Sequence, residues 1–205
     1  MKKKTLIVDL DGTLYYQRPV WMCMALELLG YYILHFWRIK ELKIILNYRT
    51  QHNSNTPLNI KDFCIEQKTD MNNLNNLIQT WLFYKPLKWI KLFADRNLIN
   101  NLKEQQKNVS VIVYSDYETR QKLSVLNFKP DFEFFYDSIN ICFPKPNPQG
   151  LNYIASELKL HPKDILVIGD RQDKDGIAAA AFGAEYLILP QNPIKRNKII
   201  KKLWR

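Results

Sequence analysis

The chain has 205 residues, which suits one domain or one domain with an inserted piece and excludes an assembly of several domains. Its hydrophobic content of 46% and aromatic content of 13% exclude a disordered chain, because disordered chains lack the apolar residues that build a core. Thirty Lys and Arg against 20 Asp and Glu give a formal net charge of +10, which favours anionic ligands without identifying one.

The first predicted element is a strand at Thr5 to Leu10, a short β-branched run typical of a strand buried on both faces. It ends in the sequence DLDGT at 9–13. Open parallel sheets bind ligands at the carboxyl ends of their strands, and strand alternation places Asp9 and Asp11 on one side. Two carboxylates there could supply a nucleophile and a proton-transfer group, although Asp11-Gly12 is also typical of a hairpin turn.

The next segment, Val20 to Trp37, is long and apolar enough for a membrane span, with Glu27 and His35 as its strongly polar residues. A span would place the first strand across the bilayer from all later strands, so no common sheet could form. We therefore predict a helix that is buried or covered by a partner, with His35 as a satisfied interior or interface group.

The whole interval from Tyr15 to about Tyr84 lacks a strand-like run and is predicted to be helical. A polar joint at Thr50 to Thr56 divides it, and Thr56-Pro57 resembles a helix start. Apolar residues at helical spacing then continue to Leu82. The domain prediction is an inserted helical piece at 15–85 within a core formed by 1–14 and 86–205.

Strands and helices alternate in the rest of the chain, which predicts an α/β fold with a doubly wound, Rossmann-like parallel sheet. The predicted strands are Val109 to Tyr114, Phe132 to Tyr136, Ile165 to Ile168 and Glu185 to Leu189. The predicted helices are Pro86 to Lys107, Gln149 to Leu158 and Ile177 to Phe182.

Four motifs occur along the chain in the order seen in the haloacid dehalogenase (HAD) superfamily of phosphoryl-transfer enzymes, which the sequence resembles. The first is the DLDGT sequence at 9–13, and the second is Ser115 at the end of the apolar run VIVY. The third is Lys145 just before a predicted helix, and the last is Gly169-Asp170 with further acids downstream. The four together are specific, whereas Ser115 alone would be a weak signal. The helical piece resembles the family's cap in position only.

The resemblance implies a Mg²⁺-dependent phosphatase that forms an aspartyl-phosphate intermediate. Asp9 would be the nucleophile, and Asp11 the acid and base. Positive charge is needed because an anionic phosphate repels a carboxylate nucleophile. The implied metal ligands are Asp9, Asp170 and the backbone carbonyl of Asp11, and the implied phosphate-binding residues are Thr13, Ser115 and Lys145. Asp175 and Asp173 compete for a supporting role beside the metal, and we favour Asp175.

Two features depart from many relatives. Arg171 follows the last motif's Gly-Asp, and Asp116-Tyr117 follows Ser115, where these residues either touch substrate or form an ordinary polar loop. Two alternative functions stay open: a phosphomutase with the same catalytic residues, and a low-turnover binding or assembly protein that docks a membrane or partner through its apolar helix.

The predicted partner is a small phosphorylated substrate. Specific nucleic-acid binding is not expected, since the basic residues accompany no recognition motif. The C-terminal basic residues are predicted to form a solvated face: Lys195, Arg196, Lys198, Lys201, Lys202 and Arg205. Three cysteines without metal-ligand spacing, and an N-terminal apolar run too short for a signal peptide, predict a cytoplasmic protein. Peripheral membrane contact and a homo-oligomer remain open.

Overall fold

The computed structural model describes residues 5–52, 59–136 and 140–204. The chain divides into two compact units. The sheet unit comprises Met1–Arg18 and Ile90–Arg205, and the helical unit comprises Pro19–Trp89. Whether the helical unit acts as a substrate-selecting cap stays a prediction.

The sheet unit is built on five parallel strands in the order β3-β2-β1-β4-β5. The strands are β1 (Thr5–Val8), β2 (Val111–Ser115), β3 (Phe132–Phe135), β4 (Ile165–Gly169) and β5 (Glu185–Ile188). Ile7 of β1 pairs with Ile112 on one side and Val167 on the other, and all three are buried. The predicted doubly wound parallel sheet is confirmed. Strand β2 starts two residues late because the Val109 N–H bonds the Gln105 carbonyl at a helix end.

In the described part of the sheet unit, five helices connect or follow its strands. They are α6 (Arg96–Gln105), α7 (Arg120–Val125), α8 (Gln149–Glu157), α9 (Ile177–Phe182) and α10 (Pro193–Leu203). Helices α8 and α9 pack in one core with Ile112 and Val167, and the fully buried Ala178 and Ala179 let α9 approach closely.

The predicted single helix from Pro86 to Lys107 is wrong. The structure has α5 (Lys85–Leu92) and α6, separated by an extended stretch. Helix α5 ends at Leu92, and Asp95 caps the start of α6, since its Oδ1 accepts a hydrogen bond from the Leu98 N–H at 2.9 Å. Tyr15 and Ala94 form an antiparallel bridge there, which holds the break beside the end of β1.

The helical unit has its own core, in which Tyr32, Phe63, Leu74 and Trp81 are buried. Its helices are α1 (Gln17–Leu34), α2 (Ile39–His52), α3 (Ile60–Gln67), α4 (Met71–Ile78) and part of α5, with a 3₁₀ turn at Phe36–Arg38 and a π-helical segment at Gln79–Tyr84. The predicted helix start at Thr56-Pro57, with residues 53–56 of the predicted joint, lies outside the described residues.

The predicted burial of Val20 to Trp37 is wrong for the single chain. Only Val20 and Tyr32 are buried in α1, and the rest of its apolar residues are exposed or half-buried. Within the part of the chain that the structure describes, no single helix is long and apolar enough to cross a membrane; α1 and the segment Phe36–Gln51 meet the length and composition test only together, with a bend of 109° between them. His35 is satisfied as predicted, with its Nδ1 2.8 Å from the Tyr31 carbonyl.

Glu27, the only acid of α1, points towards α5. Its carboxylate accepts hydrogen bonds from Lys85 at 2.8 Å and Trp89 at 3.1 Å, and Lys88 lies at 2.8 Å. Burial acts to raise the pKa of Glu27, but the hydrogen bonds from these three side chains lower it to about 2.

We expect Glu27→Gln to lower the free energy of unfolding by about 1–2 kcal/mol at neutral pH, measured by urea denaturation. A carboxyl whose pKa is lower in the folded state stabilises the fold above its unfolded pKa of about 4.5 and loses this effect as the pH falls towards 2. The difference between variant and parent should therefore fade over that range. Glu104→Gln, which removes an exposed pair with Lys107, is the matched control and should change little. Equal stability of Glu27→Gln and parent at neutral pH would contradict the assignment.

Candidate active site

The predicted site residues come together where three adjacent strands end. Asp9 follows β1, Ser115 closes β2 and Asp170 follows β4, and these are the three central strands of the sheet. The chain builds β1, β2 and β3 towards one edge and then returns to add β4 and β5 on the other side of β1. Parallel sheets bind ligands at such a reversal, outside the carboxyl ends of the strands.

The loop after β1 is a tight turn rather than a hairpin. Both neighbours of β1 are parallel strands, and the N–H of Leu14 bonds the carbonyl of Leu10 at 2.9 Å. Gly12 has a φ of +91°, and a Cβ there would lie 2.2 Å from the Asp170 Oδ2 atom. Only glycine meets both conditions. The hairpin interpretation of Asp11-Gly12 is wrong because both strands that pair with β1 run parallel to it.

Asp9, Lys145 and Asp175 form a buried ion cluster. The Lys145 ammonium lies 2.5 Å from Asp9 Oδ1 and 2.7 Å from Asp175 Oδ1, and Thr13 donates to Asp9 Oδ2 at 3.0 Å. Burial acts to lower the pKa of Lys145, but the two carboxylates hold it well above its usual value, so this side chain is a fixed positive charge. Burial raises the pKa of Asp9 to about 8, although Lys145 acts to lower it.

Asp170 completes a group of three carboxylates suited to a divalent metal. One oxygen from each of Asp9, Asp170 and Asp175 lies within 4.8 Å of the others. Asp170 Oδ2 accepts a hydrogen bond from Gln191 at 2.6 Å, while its buried Oδ1 has no hydrogen-bond partner. Burial, and then the charge of Asp175, raise the pKa of Asp170 to about 6. The raised pKa values show that three carboxyl groups crowd one lysine, and a hard cation such as Mg²⁺ would relieve that crowding at this all-oxygen site.

The structure separates the two candidates for the supporting acid. Asp175 is buried and accepts a hydrogen bond from the Arg171 backbone N–H at 3.1 Å as well as from Lys145. A Cβ on Gly169 would lie 2.3 Å from the Asp175 Cγ, so the glycine of the last motif makes room for that side chain. Asp173 faces solvent and pairs with the Arg171 guanidinium, which leaves it outside the cluster.

Asp11 lies in a different environment from Asp9. Lys122 Nζ contacts its two oxygens at 2.6 and 2.7 Å, Tyr15 donates at 2.5 Å and Ser115 at 3.3 Å. Burial would raise the pKa of Asp11, but the charge of Lys122 and these hydrogen bonds lower it below its usual value. The two acids of the first motif thus differ: burial dominates the pKa of Asp9, whereas Lys122 and the hydrogen bonds outweigh burial at Asp11.

Asp116, which the sequence predicts to be either a substrate contact or part of a polar loop, has both carboxylate oxygens in contact with other segments of the sheet unit. Its Oδ1 accepts from the Lys145 backbone N–H at 3.0 Å, and its Oδ2 lies 2.8 Å from Lys174 Nζ. The loop after β2 therefore positions the loop that carries Lys145.

Arg196 is buried, so the prediction that all the C-terminal basic residues form a solvated face is wrong at this position. Lys195, Lys198, Lys201 and Lys202 are exposed as predicted, and Arg205 lies outside the described residues. Arg196 is 0% exposed; it donates to the carbonyls of Gly12 at 3.1 Å and Thr13 at 2.8 Å, and its Nε lies 3.2 Å from Asp95. Helix α10 thereby supports the loop that carries Asp9 and Asp11.

Sequence reasoning missed four residues of the site: Tyr15, Lys122, Gln191 and Arg196. Lys122 and Arg196 lie on helices that carry other basic residues, and no local pattern distinguishes them. Tyr15 could have been suspected, because it lies four residues after Asp11. Gln191 approaches from the loop after β5, which only the folded sheet brings near.

Comparison with known proteins agrees with this geometry. The family model for haloacid dehalogenase-like hydrolases matches residues 3–183. No curated protein matches the chain.

Solved structures show the same fold at low sequence identity. A HAD-hydrolase from Bacillus subtilis bound to magnesium has a TM-score of 0.59 and 12% identity, over 92% of this chain and 87% of its own. A 2-haloacid dehalogenase from Pseudomonas syringae has a TM-score of 0.61 and 14% identity, over 99% and 100%. A predicted phosphoglycolate phosphatase from Haemophilus somnus has a TM-score of 0.55 and 17% identity, over 92% and 86%.

Proposed function

The chain belongs to the haloacid dehalogenase-like hydrolase family, and on that basis we propose that it is a Mg²⁺-dependent phosphomonoester hydrolase that acts through a phosphorylated Asp9. The observation that carries the proposal is the second acid of the first motif: Asp11 lies beside the nucleophile and is held by its own lysine. Dehalogenases of the family lack this acid, since displacement of a halide needs no proton donor.

Asp9 is suited to attack phosphorus. Lys145 and Thr13 hold its two oxygens, so the carboxylate is oriented before substrate arrives. In the first step one Asp9 oxygen bonds phosphorus while the bond from phosphorus to the leaving oxygen breaks. Lys145 and Ser115 are placed to stabilise the phosphoryl oxygens. When bound by Asp9, Asp170 and the Asp11 carbonyl, Mg²⁺ would neutralise charge on the same oxygens.

Asp11 manages the proton in both steps. Lys122 and Tyr15 keep its carboxylate ionised in the free site, and the negative charge of a bound phosphate raises its affinity for a proton. Protonated Asp11 then gives that proton to the leaving oxygen as the first bond breaks. In the second step it takes a proton from the water that attacks phosphorus, which releases phosphate and restores Asp9.

We expect Asp11→Asn to slow turnover by about two to four orders of magnitude on alkyl phosphates, because an alkoxide leaves poorly without a proton. The loss in single-turnover phosphoryl transfer should be much smaller with p-nitrophenyl phosphate, whose leaving group is a weak base. Stopped-flow and quench measurements on the two substrate types test this. Asp173→Asn, which changes an exposed acid outside the cluster, is the matched control and should keep parental rates. Equal losses on both substrate types would exclude Asp11 as the proton donor.

A single assay tests the function. Release of phosphate from sugar phosphates, phosphoglycolate, nucleotides and lipid-carrier phosphates, with and without Mg²⁺, is compared with release of halide from 2-haloacids. We expect Mg²⁺-dependent phosphate release from at least one class and no halide release. Halide release without phosphatase activity would refute the proposal.

A further inference from the structure

From Trp21 to Leu34, the exposed residues of helix α1 form an apolar surface. Every exposed residue between positions 21 and 34 is apolar: Trp21, Met22, Ala25, Leu26, Leu29, Ile33 and Leu34. Four of them follow the spacing i, i+4, i+7, i+11 and so form one stripe along the helix. We call these seven residues the apolar face. Contiguous apolar surface of this kind marks an interaction site on a folded protein.

The helix is oriented opposite to an ordinary surface helix. Its one charged residue in this range, Glu27, faces Lys85, Lys88 and Trp89 of α5, while leucines face water. Leu26 is 69% exposed and Leu29 is 55% exposed. The hydrogen bonds of Glu27 fix the rotation of α1 about its axis. The packing of the helical unit itself therefore keeps the apolar face exposed.

Aromatic and basic residues follow the apolar face along the chain, and one of them, Arg49, contacts it at Trp21. After α1 the chain bends by 109°, and Phe36 and Trp37 are exposed at the bend. The exposed charged residues that follow are all basic: Arg38, Lys40, Lys43 and Arg49. The Arg49 guanidinium lies 5.1 Å from the centre of the Trp21 ring. The two acids of the segment 19–51, Glu27 and Glu41, are half-buried and paired with lysines and with Arg38.

We infer that the apolar face docks onto the surface of an anionic lipid bilayer, with α1 lying in the interface. Helices that bind membranes in this way have apolar and aromatic residues on one side and Lys or Arg beside them at headgroup level. The basic residues beyond the bend would contact anionic headgroups, each contributing to the affinity.

Charge and hydrogen-bonding capacity favour a bilayer over other occupants. A second copy would bring the same four basic residues together in a chain of net charge +10, and the two copies would repel. A typical protein–protein interface carries about ten hydrogen bonds, whereas the Trp21 indole is the only side-chain hydrogen-bonding group of the apolar face. A bilayer interior requires none.

A transmembrane orientation of α1 is inconsistent with its length and with the contacts of Glu27. The 18 residues of α1 reach about 27 Å, short of the hydrocarbon core of about 30 Å, and insertion would remove Glu27 from its three partners. An interfacial helix buries only one side and keeps those partners.

The test is co-sedimentation of the full chain with phosphatidylcholine vesicles, with or without phosphatidylglycerol. We expect binding to the anionic vesicles, partial release by added salt, and at least about tenfold weaker binding to the neutral ones. Leu26→Glu with Leu29→Glu should weaken binding by at least about tenfold. Ile65→Glu is the matched control, because Ile65 is 76% exposed on α3 of the same unit but lies outside the apolar face, and it should bind like the parent. Circular dichroism and melting confirm that each variant is folded.

Docking is independent of catalysis, so Asp9→Asn should bind vesicles like the parent even though it is inactive. Three outcomes would overturn the inference: equal binding of the Leu26→Glu, Leu29→Glu variant and the parent; absence of binding of the parent to anionic vesicles; or membrane association in cells that resists both salt and carbonate. In the second case, a dimer that the variant dissociates in analytical ultracentrifugation would identify a second copy as the occupant.

Discussion

Replacement of Asp9 by Asn is expected to lower phosphatase turnover by at least about four orders of magnitude, because the variant lacks the oxygen nucleophile on which the first step depends. It should also lose labelling by beryllium fluoride, which mimics a phosphoryl group on a carboxylate. The measurement is phosphate release under saturating Mg²⁺, with mass spectrometry of the labelled protein.

The same substitution should leave the fold intact. An amide oxygen can still accept from Lys145, the Thr13 hydroxyl can rotate to accept from the amide nitrogen, and Lys145 keeps Asp175. Burial raises the pKa of Asp9 to about 8, so the fold disfavours the charged carboxylate and the neutral amide should be tolerated. We expect an unfolding free energy at neutral pH equal to or above that of the parent. An active Asp9→Asn preparation, free of contaminating phosphatase, would contradict the assignment.

Lys145→Ala is expected to lower both activity and stability, since it removes a cation that contacts both Asp9 and Asp175. Loss of a positioned charge at the phosphoryl oxygens should raise the activation free energy by about 3 kcal/mol, which is roughly two orders of magnitude in kcat. The two buried carboxylates are left without their ammonium, so the unfolding free energy should fall by about 3–5 kcal/mol.

A divalent cation separates this effect from simple loss of packing. With Lys145 gone, the carboxylate group carries more negative charge, and added Mg²⁺ should raise the Tm of Lys145→Ala by more than it raises that of the parent. Lys107→Ala, which breaks an exposed pair with Glu104, is the control and should change the stability by less than about 1 kcal/mol. A variant with parental stability and no greater response to Mg²⁺ would show that Lys145 is not the counter-charge of this cluster.

The site residues that lie at the ends of strands could be predicted from the sequence. Asp9, Ser115 and Asp170 each follow a buried apolar run, and parallel pairing brings such ends to one edge whatever the rest of the chain does. The choice between Asp173 and Asp175 depended on space, because the absence of a Cβ on Gly169 admits the Asp175 side chain.

Groups delivered by other helices could not be predicted. Lys122 reaches Asp11 from α7 and Arg196 reaches the Gly12 carbonyl from α10, across separations of more than a hundred residues. In sequence each lies on a helix with at least one other basic residue, and the contacts of the folded chain distinguish them. The break before α6 was more accessible, since Asp95 is a good N-cap within an otherwise helical pattern.

The apolar run of α1 illustrates a different limit. Its composition predicts a helix away from water, but composition does not say what covers it, and the rotation of the helix depends on Glu27 pairing with Lys85 some 58 residues later. The run therefore led us to expect a helix that is buried or covered by a partner, and the structure exposes a face of it.

The most direct test of the catalytic account is to look for the covalent intermediate. Asp11→Asn enzyme, in which attack by water should be slowed, is mixed with p-nitrophenyl phosphate and Mg²⁺, quenched in acid and digested for peptide mass spectrometry. The account predicts a phosphoryl group on the peptide that carries Asp9, and none on the Asp9→Asn, Asp11→Asn double variant. Mg²⁺-dependent phosphate release by the parent, with no adduct on Asp9 at any quench time and an adduct on another residue, would contradict it.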